Sequence, residues 1–131
     1  MSEGDEATGI VVGHGAMARG LVDAVKRIVG DVGDCLEPLS NDGKNPSEIK
    51  RDLEAMLGTP KSIIFVDLMS GSCGMAALAN CRDCEGRVVV SGVNLPMLLD
   101  FVFNRGMPLA DLVPRLLEQG RAAIVALPAS E

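Results

Sequence analysis

The chain contains a single histidine, His14, in a setting that suits nucleophilic chemistry. The β-branched residues 10–12 just before it predict a short buried strand. Glycines on both sides of His14 predict a sharp turn, and apolar residues at helical spacing from Met17 onward predict a helix directly after the turn. Because the N-terminus of a helix favours anions, His14 is a candidate nucleophile toward phosphoryl groups.

Three other polar features follow predicted strands. Asp67 ends the strand 62–66, the small-residue loop 70–74 comes next, and Asn94 follows the strand 87–90. In parallel α/β sheets, ligands bind beyond the carboxyl ends of the strands, where the strand order reverses. We therefore expect these features to share one rim of the sheet with the histidine if the strand order is 2-1-3-4.

Together these residues could supply what a phosphoryl-accepting site needs. A histidine attacks phosphorus through a neutral ring nitrogen, so the other nitrogen has to carry the proton. A carboxylate such as Asp67 would fix that tautomer and stabilise the cationic ring that forms. Ser70, Gly71, Ser72 and the backbone amides that follow them would form an anion-binding nest for the phosphoryl oxygens.

Each of these residues also has an ordinary structural interpretation. A histidine in a turn is often a plain surface residue, and an aspartate at a strand end often caps the next turn. The loop 70–74 could be a simple connection, and Asn94 is well placed to cap the helix that follows it. Their convergence on one rim favours a functional site over four separate structural roles.

Strands alternate with helices along the sequence. The predicted strands are 10–12, 35–39, 62–66, 87–90 and 122–127, and the predicted helices are 17–29, 46–57, 75–79, 95–103 and one from 109 with a kink at Pro114. We predict a three-layer α/β/α fold with a mainly parallel sheet of order 2-1-3-4, in which 35–39 is an edge strand and 122–127 is a final strand.

Length and composition indicate one domain spanning residues 1–131, with residues 1–7 as a flexible tail. The net charge of −6 and the lack of Trp and Tyr disfavour nucleic-acid binding. No apolar run approaches the roughly 20 residues that span a bilayer, so we expect no membrane insertion. The acidic N-terminus is unlike a signal peptide, which favours a cytoplasmic location.

Two of the four cysteines, Cys81 and Cys84, have the spacing of a redox pair or of half a zinc site. A tetrahedral zinc site needs four ligands, but the sequence has no second close pair, and its one histidine is distant along the chain. We therefore interpret these residues as two thiols at a helix end and expect neither a metal nor a cofactor.

Three segments resemble the enzyme IIA domain of the mannose family, part of the bacterial phosphoenolpyruvate-dependent sugar phosphotransferase system. They are Ile-Val-Val-Gly-His14-Gly, Val-Asp67-Leu-Met-Ser-Gly-Ser72 and Gly92-Val-Asn94-Leu-Pro96-Met-Leu. Their order and separation match the family, the similarity extends over roughly residues 8–127, and the last segment is the most specific.

The resemblance implies that phospho-HPr phosphorylates His14, which then passes the phosphoryl group to an enzyme IIB. It implies that Asp67 is the hydrogen-bonded partner of His14 and that Ser72, with nearby amides, contacts the phosphoryl group. It also implies a homodimer in which a C-terminal strand, residues 122–127 here, crosses to the other subunit and pairs antiparallel. Such an exchange would cover an exposed sheet edge.

Two functions of other classes stay open. A protein of this fold could act as a regulatory or binding module without sugar transport. Ser72, His14 and Asp67 could instead form a hydrolase triad, although Ser72 lacks the Gly-x-Ser-x-Gly elbow expected on an α/β sheet. Stoichiometric, acid-labile phosphorylation of His14 is expected of the carrier alone, whereas labelling of Ser72 by a serine probe would favour the hydrolase.

Overall fold

Four strands and five α-helices alternate in the computed structural model, which describes residues 6–58, 61–81 and 85–128. The strands are β1 (Thr8–Gly13), β2 (Leu36–Ser40), β3 (Ser62–Val66) and β4 (Arg87–Ser91). The helices are α1 (Met17–Val29), α2 (Pro46–Met56), α3 (Ser72–Ala79), α4 (Leu95–Val102) and α5 (Leu109–Ala122), and a 3-10 turn (Gly30–Cys35) links α1 to β2. None of the helices formed by these residues is long and apolar enough to cross a membrane.

The strands form one sheet of order β2-β1-β3-β4, and each neighbouring pair is parallel. This confirms the predicted three-layer α/β fold and its strand order. Gly13 pairs with Ser40 and Val12 pairs with Val66, so β1, β2 and β3 end at the same level. The loops that follow these three strands therefore meet at one rim of the sheet.

Alternate side chains of the central strands pack into two separate cores. Val11 and Phe65 belong to the core that α1, α4 and α5 cover, where the Phe65 and Phe101 rings meet edge to face with centroids 5.3 Å apart. Val12 and Val66 belong to the core that α2 and α3 cover. Because both faces of β1 and β3 are buried, the loops at the rim extend from close-packed strands.

The helix α2 begins with a capping box. The Asn45 side chain accepts a hydrogen bond from the Glu48 N–H, and the Glu48 side chain accepts one from the Asn45 N–H, each at 2.9 Å. This reciprocal pair satisfies donors that the first helical turn cannot satisfy itself. At the other end of the chain, α5 continues through Pro114 as far as Ala122.

Residue 7, the inner end of the predicted N-terminal tail, packs into the fold. Residues 1–5 lie outside the described part of the chain, but Ala7 is fully buried. Its N–H donates to the Arg105 carbonyl at 3.0 Å, and Arg105 Nε donates to the Ala7 carbonyl at 2.6 Å. These contacts fix the chain from residue 7 onward, just before β1 begins.

The predicted strand 122–127 does not form within this single chain. Ala122 is the last residue of α5, and residues 123–128 pair with no strand in the described part of the chain. The apolar run therefore has no strand to pair with inside the described chain. The exchange of this segment between two subunits stays a prediction.

Candidate active site

His14 lies in the turn between β1 and α1, at the rim of the sheet. Its backbone N–H donates to Asp67 Oδ2 at 2.9 Å, and its ring Nδ1 lies 2.7 Å from the same oxygen. Gly15, with a φ of +61°, completes the turn in a conformation that residues with a side chain rarely adopt. The His14 side chain is 44% exposed, so one edge of the ring is held while the other is accessible.

Asp67 is the buried partner of this pair, with a side chain only 8% exposed. Its second oxygen, Oδ1, accepts a hydrogen bond from the Leu68 N–H at 2.9 Å. Burial acts to raise the pKa of Asp67, but hydrogen bonds from the His14 ring, the His14 backbone and the Leu68 backbone outweigh it, and the pKa lies below its ordinary value. An ionised carboxylate can only accept hydrogen bonds, so in the neutral ring Nδ1 carries the proton and Nε2 carries the free lone pair.

The N-terminus of α3 lies beside that lone pair. Gly71, the N-cap of α3, has a φ of +97°, and a Cβ atom on it would lie 3.9 Å from His14 Nε2. Within the described chain no side chain caps α3, and its first turn contains no acidic residue. The first N–H groups of this helix are therefore available to an anion near Nε2.

Gly74 allows α3 to approach the preceding loop this closely. A Cβ atom at Gly74 would overlap the backbone carbonyl oxygen of Met69. A backbone oxygen cannot move aside as the end of a flexible side chain can, so only glycine fits this position without a shift of the loop. The glycine thus keeps the loop 69–71 and the start of α3 in place at the rim.

The two predicted serines lie at the same helix start. Ser70 is exposed, and Ser72 is the half-buried first residue of α3. Among the described residues, neither serine forms a hydrogen bond with His14. The structure therefore brings both serines to the rim without the serine–histidine bond that a hydrolase triad requires.

Cys73 is the third ionisable side chain at this place and is fully buried. Burial raises the pKa of its thiol, and the charge of Asp67 raises it further. One potential ligand atom from each of His14, Asp67 and Cys73 lies within 4.8 Å of the other two, a spacing that could hold a metal ion. The contacts do not favour one, because the thiol is buried and protonated and both Asp67 oxygens already accept hydrogen bonds.

The expectation that the protein uses no metal stays a prediction. The same holds for the interpretation of the cysteine pair, because Cys84 lies outside the described residues. Cys81 follows α3 and is half-buried.

Asn94 has a structural place near the rim. Its Oδ1 accepts a hydrogen bond from the Met97 N–H at 3.1 Å as the N-cap of α4, and its Nδ2 donates to the Gly120 carbonyl at 2.9 Å. It forms no hydrogen bond with His14 or Asp67 in the part of the chain that the structure describes. Asn94 thus joins the loop after β4 to α5.

Two residues that were not predicted to belong to the site contact the histidine turn. Ser40 Oγ donates to the Gly15 carbonyl at 2.8 Å, and the Gly15 N–H donates to Asn41 Oδ1 at 3.1 Å. Both residues stand at the end of β2, which lies beside β1 in the sheet. Their polar character, taken together with the order 2-1-3-4, is the signal that could have identified them.

The site therefore combines three parts at one rim. A ring nitrogen of His14 is accessible, a buried carboxylate holds the opposite nitrogen in its protonated form, and the N-terminus of a helix lies beside the free nitrogen. A nucleophile, the group that orients it and donors for an anion are the parts that phosphoryl acceptance requires.

Solved structures share this fold at low sequence identity. The phosphotransferase system component EIIA from Streptococcus agalactiae aligns with a TM-score of 0.85 and 22% identity, over 92% of this chain and 96% of its own. The mannose/sorbose specific IIA subunit from Enterococcus faecalis gives a TM-score of 0.84 and 23% identity, over 96% and 98%. A sigma-54 interaction domain protein from Enterococcus faecalis gives 0.76 and 11%, over 92% and 94%.

Sequence comparison assigns the family. A search of curated protein sequences gives no significant match. A family profile described as the PTS system fructose IIA component, EIIA-man, matches residues 9–115, which include His14 and Asp67. This match spans most of the chain, and it agrees with the fold of the solved IIA structures. The chain belongs to the EIIA-man family of phosphotransferase system IIA components.

Proposed function

We propose that this protein is a histidine phosphocarrier of a sugar phosphotransferase system, which accepts a phosphoryl group from phospho-HPr on His14 and passes it to an enzyme IIB. The 2.7 Å contact between His14 Nδ1 and the ionised Asp67 carries the proposal. It leaves Nε2 as the nucleophile on the accessible edge of the ring. Membership of the EIIA-man family supports the same role.

The proposed step follows from the protonation of the ring. The Nε2 lone pair forms a bond to phosphorus while the bond from phosphorus to the donor breaks, and that electron pair leaves with the donor. The ring keeps its Nδ1 proton and becomes positively charged, and the Asp67 carboxylate stabilises this charge through the existing hydrogen bond. Transfer to enzyme IIB reverses these changes, and the ring returns to the neutral form.

Ser70, Gly71 and Ser72 are proposed to bind the phosphoryl oxygens. The N–H groups at the start of α3 favour an anion through their orientation and through the helix dipole. The missing side chain of Gly71 leaves room beside Nε2, where the phosphoryl group would lie. The serine hydroxyls at the same helix start would add two donors.

The surroundings of His14 suit a protein as the donor. The ring is 44% exposed, and four large apolar side chains in the flanking segments keep 40–67% of their surface in water. These side chains are Met17, Leu68, Met69 and Met75. Flexible methionines adapt to more than one partner surface, as a carrier that meets HPr and an enzyme IIB in turn requires. A cytoplasmic location goes with this proposal.

We also propose that the protein acts as a homodimer through exchange of residues 122–127. Ile124, Val125 and Leu127 are 77%, 68% and 81% exposed in the single chain, and burial against a second copy would remove this apolar surface from water. Sedimentation of the wild type should show a dimer, and Ile124→Asp combined with Val125→Asp should give a monomer. A monomeric wild type would contradict the exchange.

The carrier proposal is tested by intact-mass spectrometry after incubation with phosphoenolpyruvate, enzyme I and HPr from the same organism. One acid-labile phosphoryl group on the wild type and none on His14→Ala is the expected result. His14 lies in a turn and its side chain is half exposed, so this substitution should leave the fold intact, which circular dichroism would check. An unmodified wild type would contradict the carrier function.

A regulatory module is the second candidate function. The observation that favours it is the shared fold of the sigma-54 interaction domain protein from Enterococcus faecalis. This fold therefore also occurs in a protein that is not named as a IIA component. The phosphorylation experiment separates the two candidates, because only the carrier is expected to accept a phosphoryl group on His14. A wild type that stays unmodified would favour the regulatory module.

A further inference from the structure

The turn that carries His14 is held from outside by the end of a neighbouring strand. Ser40 Oγ donates to the Gly15 carbonyl at 2.8 Å, and the Gly15 N–H donates to Asn41 Oδ1 at 3.1 Å. The backbone N–H of Asn41 donates to the Gly13 carbonyl at 3.2 Å. Residues on both sides of the histidine are therefore fixed by Ser40 and Asn41, which we call the β2 clamp.

Within the turn itself, one backbone hydrogen bond runs from the Met17 N–H to the His14 carbonyl at 3.2 Å. The two glycines of the turn have more backbone freedom than any other residue would have at these positions. The N-cap of α1 is Ala16, and no side chain caps this helix in the described chain. The Asn41 oxygen accepts from the Gly15 N–H, just before the N-cap, and so fixes the backbone where the chain enters the helix.

The clamp is itself ordered. The Ser40 hydroxyl oxygen accepts a hydrogen bond from the Asp42 N–H at 3.1 Å while it donates to Gly15 at 2.8 Å. Both bonds together fix its rotamer. Ser40 also pairs with Gly13 in the sheet, so the hydroxyl extends from a position on the parallel ladder. The clamp thus fixes the position of the histidine turn relative to the sheet.

The geometry points to Ser40 and Asn41 as positioning residues. They keep the His14 imidazole within hydrogen-bonding distance of Asp67 and beside the start of α3. The His14–Asp67 bond joins the loops after β1 and β3, so its 2.7 Å length depends on where the β1 loop lies. Without the clamp, the turn would sample conformations in which Nδ1 loses the carboxylate, and the ring would no longer be confined to the tautomer with a free Nε2. The effect on phosphoryl transfer rests on the proposed function, but the effect on the ring does not.

The test combines ¹⁵N NMR of the His14 imidazole with the rate of phosphoryl acceptance from phospho-HPr. In the wild type and at a pH where the ring is neutral, the ring nitrogens should show one protonated Nδ1 and one unprotonated Nε2. The double variant Ser40→Ala, Asn41→Ala should show averaged nitrogen shifts of a mixed tautomer. It should also accept the phosphoryl group about 10- to 100-fold more slowly, the scale of loss for a reacting group displaced by up to an ångström.

Three further variants distinguish positioning from simple stability. Ser40→Thr keeps the hydroxyl and Asn41→Asp keeps the side-chain oxygen, so each single variant should keep the wild-type nitrogen shifts. Asn45→Ala is the matched control, because it removes an asparagine oxygen that accepts a backbone N–H at 2.9 Å, but at α2. It should lower the unfolding temperature and leave the His14 ring and the transfer rate unchanged.

The proposal is overturned if the double variant keeps the wild-type nitrogen shifts, or if Asn45→Ala alters them to the same extent. The NMR result decides the role of the clamp even in a protein that accepts no phosphoryl group. A wild type that is never phosphorylated would therefore contradict the carrier function, while the nitrogen shifts of the double variant would still decide the role of the clamp.

Discussion

Replacing Asp67 with asparagine removes the charge beside His14 at almost constant volume. In the native site, Oδ2 accepts two hydrogen bonds from His14, and Oδ1 accepts one from Leu68. An amide keeps only one acceptor oxygen and places an NH2 group at the other position. The substitution therefore tests whether the carboxylate acts through its charge and acceptor capacity or merely fills space.

Both orientations of the new amide impair the nucleophile. With its oxygen toward His14, the two histidine bonds remain, but the NH2 group meets the Leu68 N–H. With its NH2 group toward His14, the ring is held in the tautomer protonated at Nε2, which cannot attack phosphorus. In either case the charge that stabilises the cationic ring is lost. A hydrogen bond to a charged group contributes about 1.5–3 kcal/mol, so phosphoryl acceptance should slow about 10- to 150-fold.

The assay is the rate at which phosphorylated protein forms from phospho-HPr, followed by rapid quench and intact mass. Asp52→Asn is the control, because Asp52 also has a lowered pKa but owes it to Lys44, whose Nζ lies 2.9 Å from the Asp52 carboxylate. The control should react at the wild-type rate. Wild-type rates in Asp67→Asn would remove the carboxylate from the mechanism.

The remaining predictions concern the rim glycines and the response to acid. Gly71→Ala places a methyl group 3.9 Å from His14 Nε2 at a left-handed φ, so phosphoryl acceptance should fall more than about tenfold. A urea titration of the same variant measures the loss of stability from backbone strain, which separates it from blocked access to Nε2. Full activity would contradict the placement of the phosphoryl group between Gly71 and Nε2. Gly74→Ala should lower the free energy of unfolding by about 1–3 kcal/mol through overlap with a backbone oxygen, and an unchanged urea midpoint would contradict this packing. Because the native pKa of Asp67 is lowered, its contribution to stability is complete above the ordinary pKa of about 3.9 and is lost as the pH falls through the native pKa. Urea unfolding between about pH 5 and about pH 2 should therefore show a smaller loss of stability in Asp67→Asn than in the wild type, and equal losses would refute the assignment.

The elements with a strong local pattern were predictable from the sequence. The helix 17–29 and the strand 62–66 have the predicted boundaries, because the first combines an apolar period with a terminating glycine and the second is an unbroken apolar run. The start of α2 was likewise predictable, because Asn45 and Glu48 are the residue types of a capping box. The contact between His14 and Asp67 could be expected once the strand order was fixed, since both residues directly follow neighbouring strands.

What could not be predicted depends on contacts between distant segments. The helix α3 begins at Ser72, three residues before the predicted start, because its small first residues show no apolar period. The apolar residues after Ala122 look like a strand, but a strand needs an edge to pair with, and no local pattern supplies one within the described chain. In the β2 clamp, Asn41 is hydrogen-bonded to Gly15, which lies 26 positions earlier in the chain. The local sequence around Asn41 does not indicate that bond.

The central claim is that His14 carries the phosphoryl group on Nε2 while Asp67 holds Nδ1. Phosphorus-31 NMR of the protein phosphorylated by phosphoenolpyruvate, enzyme I and HPr, with ¹⁵N-labelled histidine to show the coupled nitrogen, tests it most directly. One acid-labile phosphohistidine signal coupled to Nε2, and no signal in His14→Ala, is the expected result. A phosphoryl group on Nδ1, or on Ser72, would contradict the proposed mechanism.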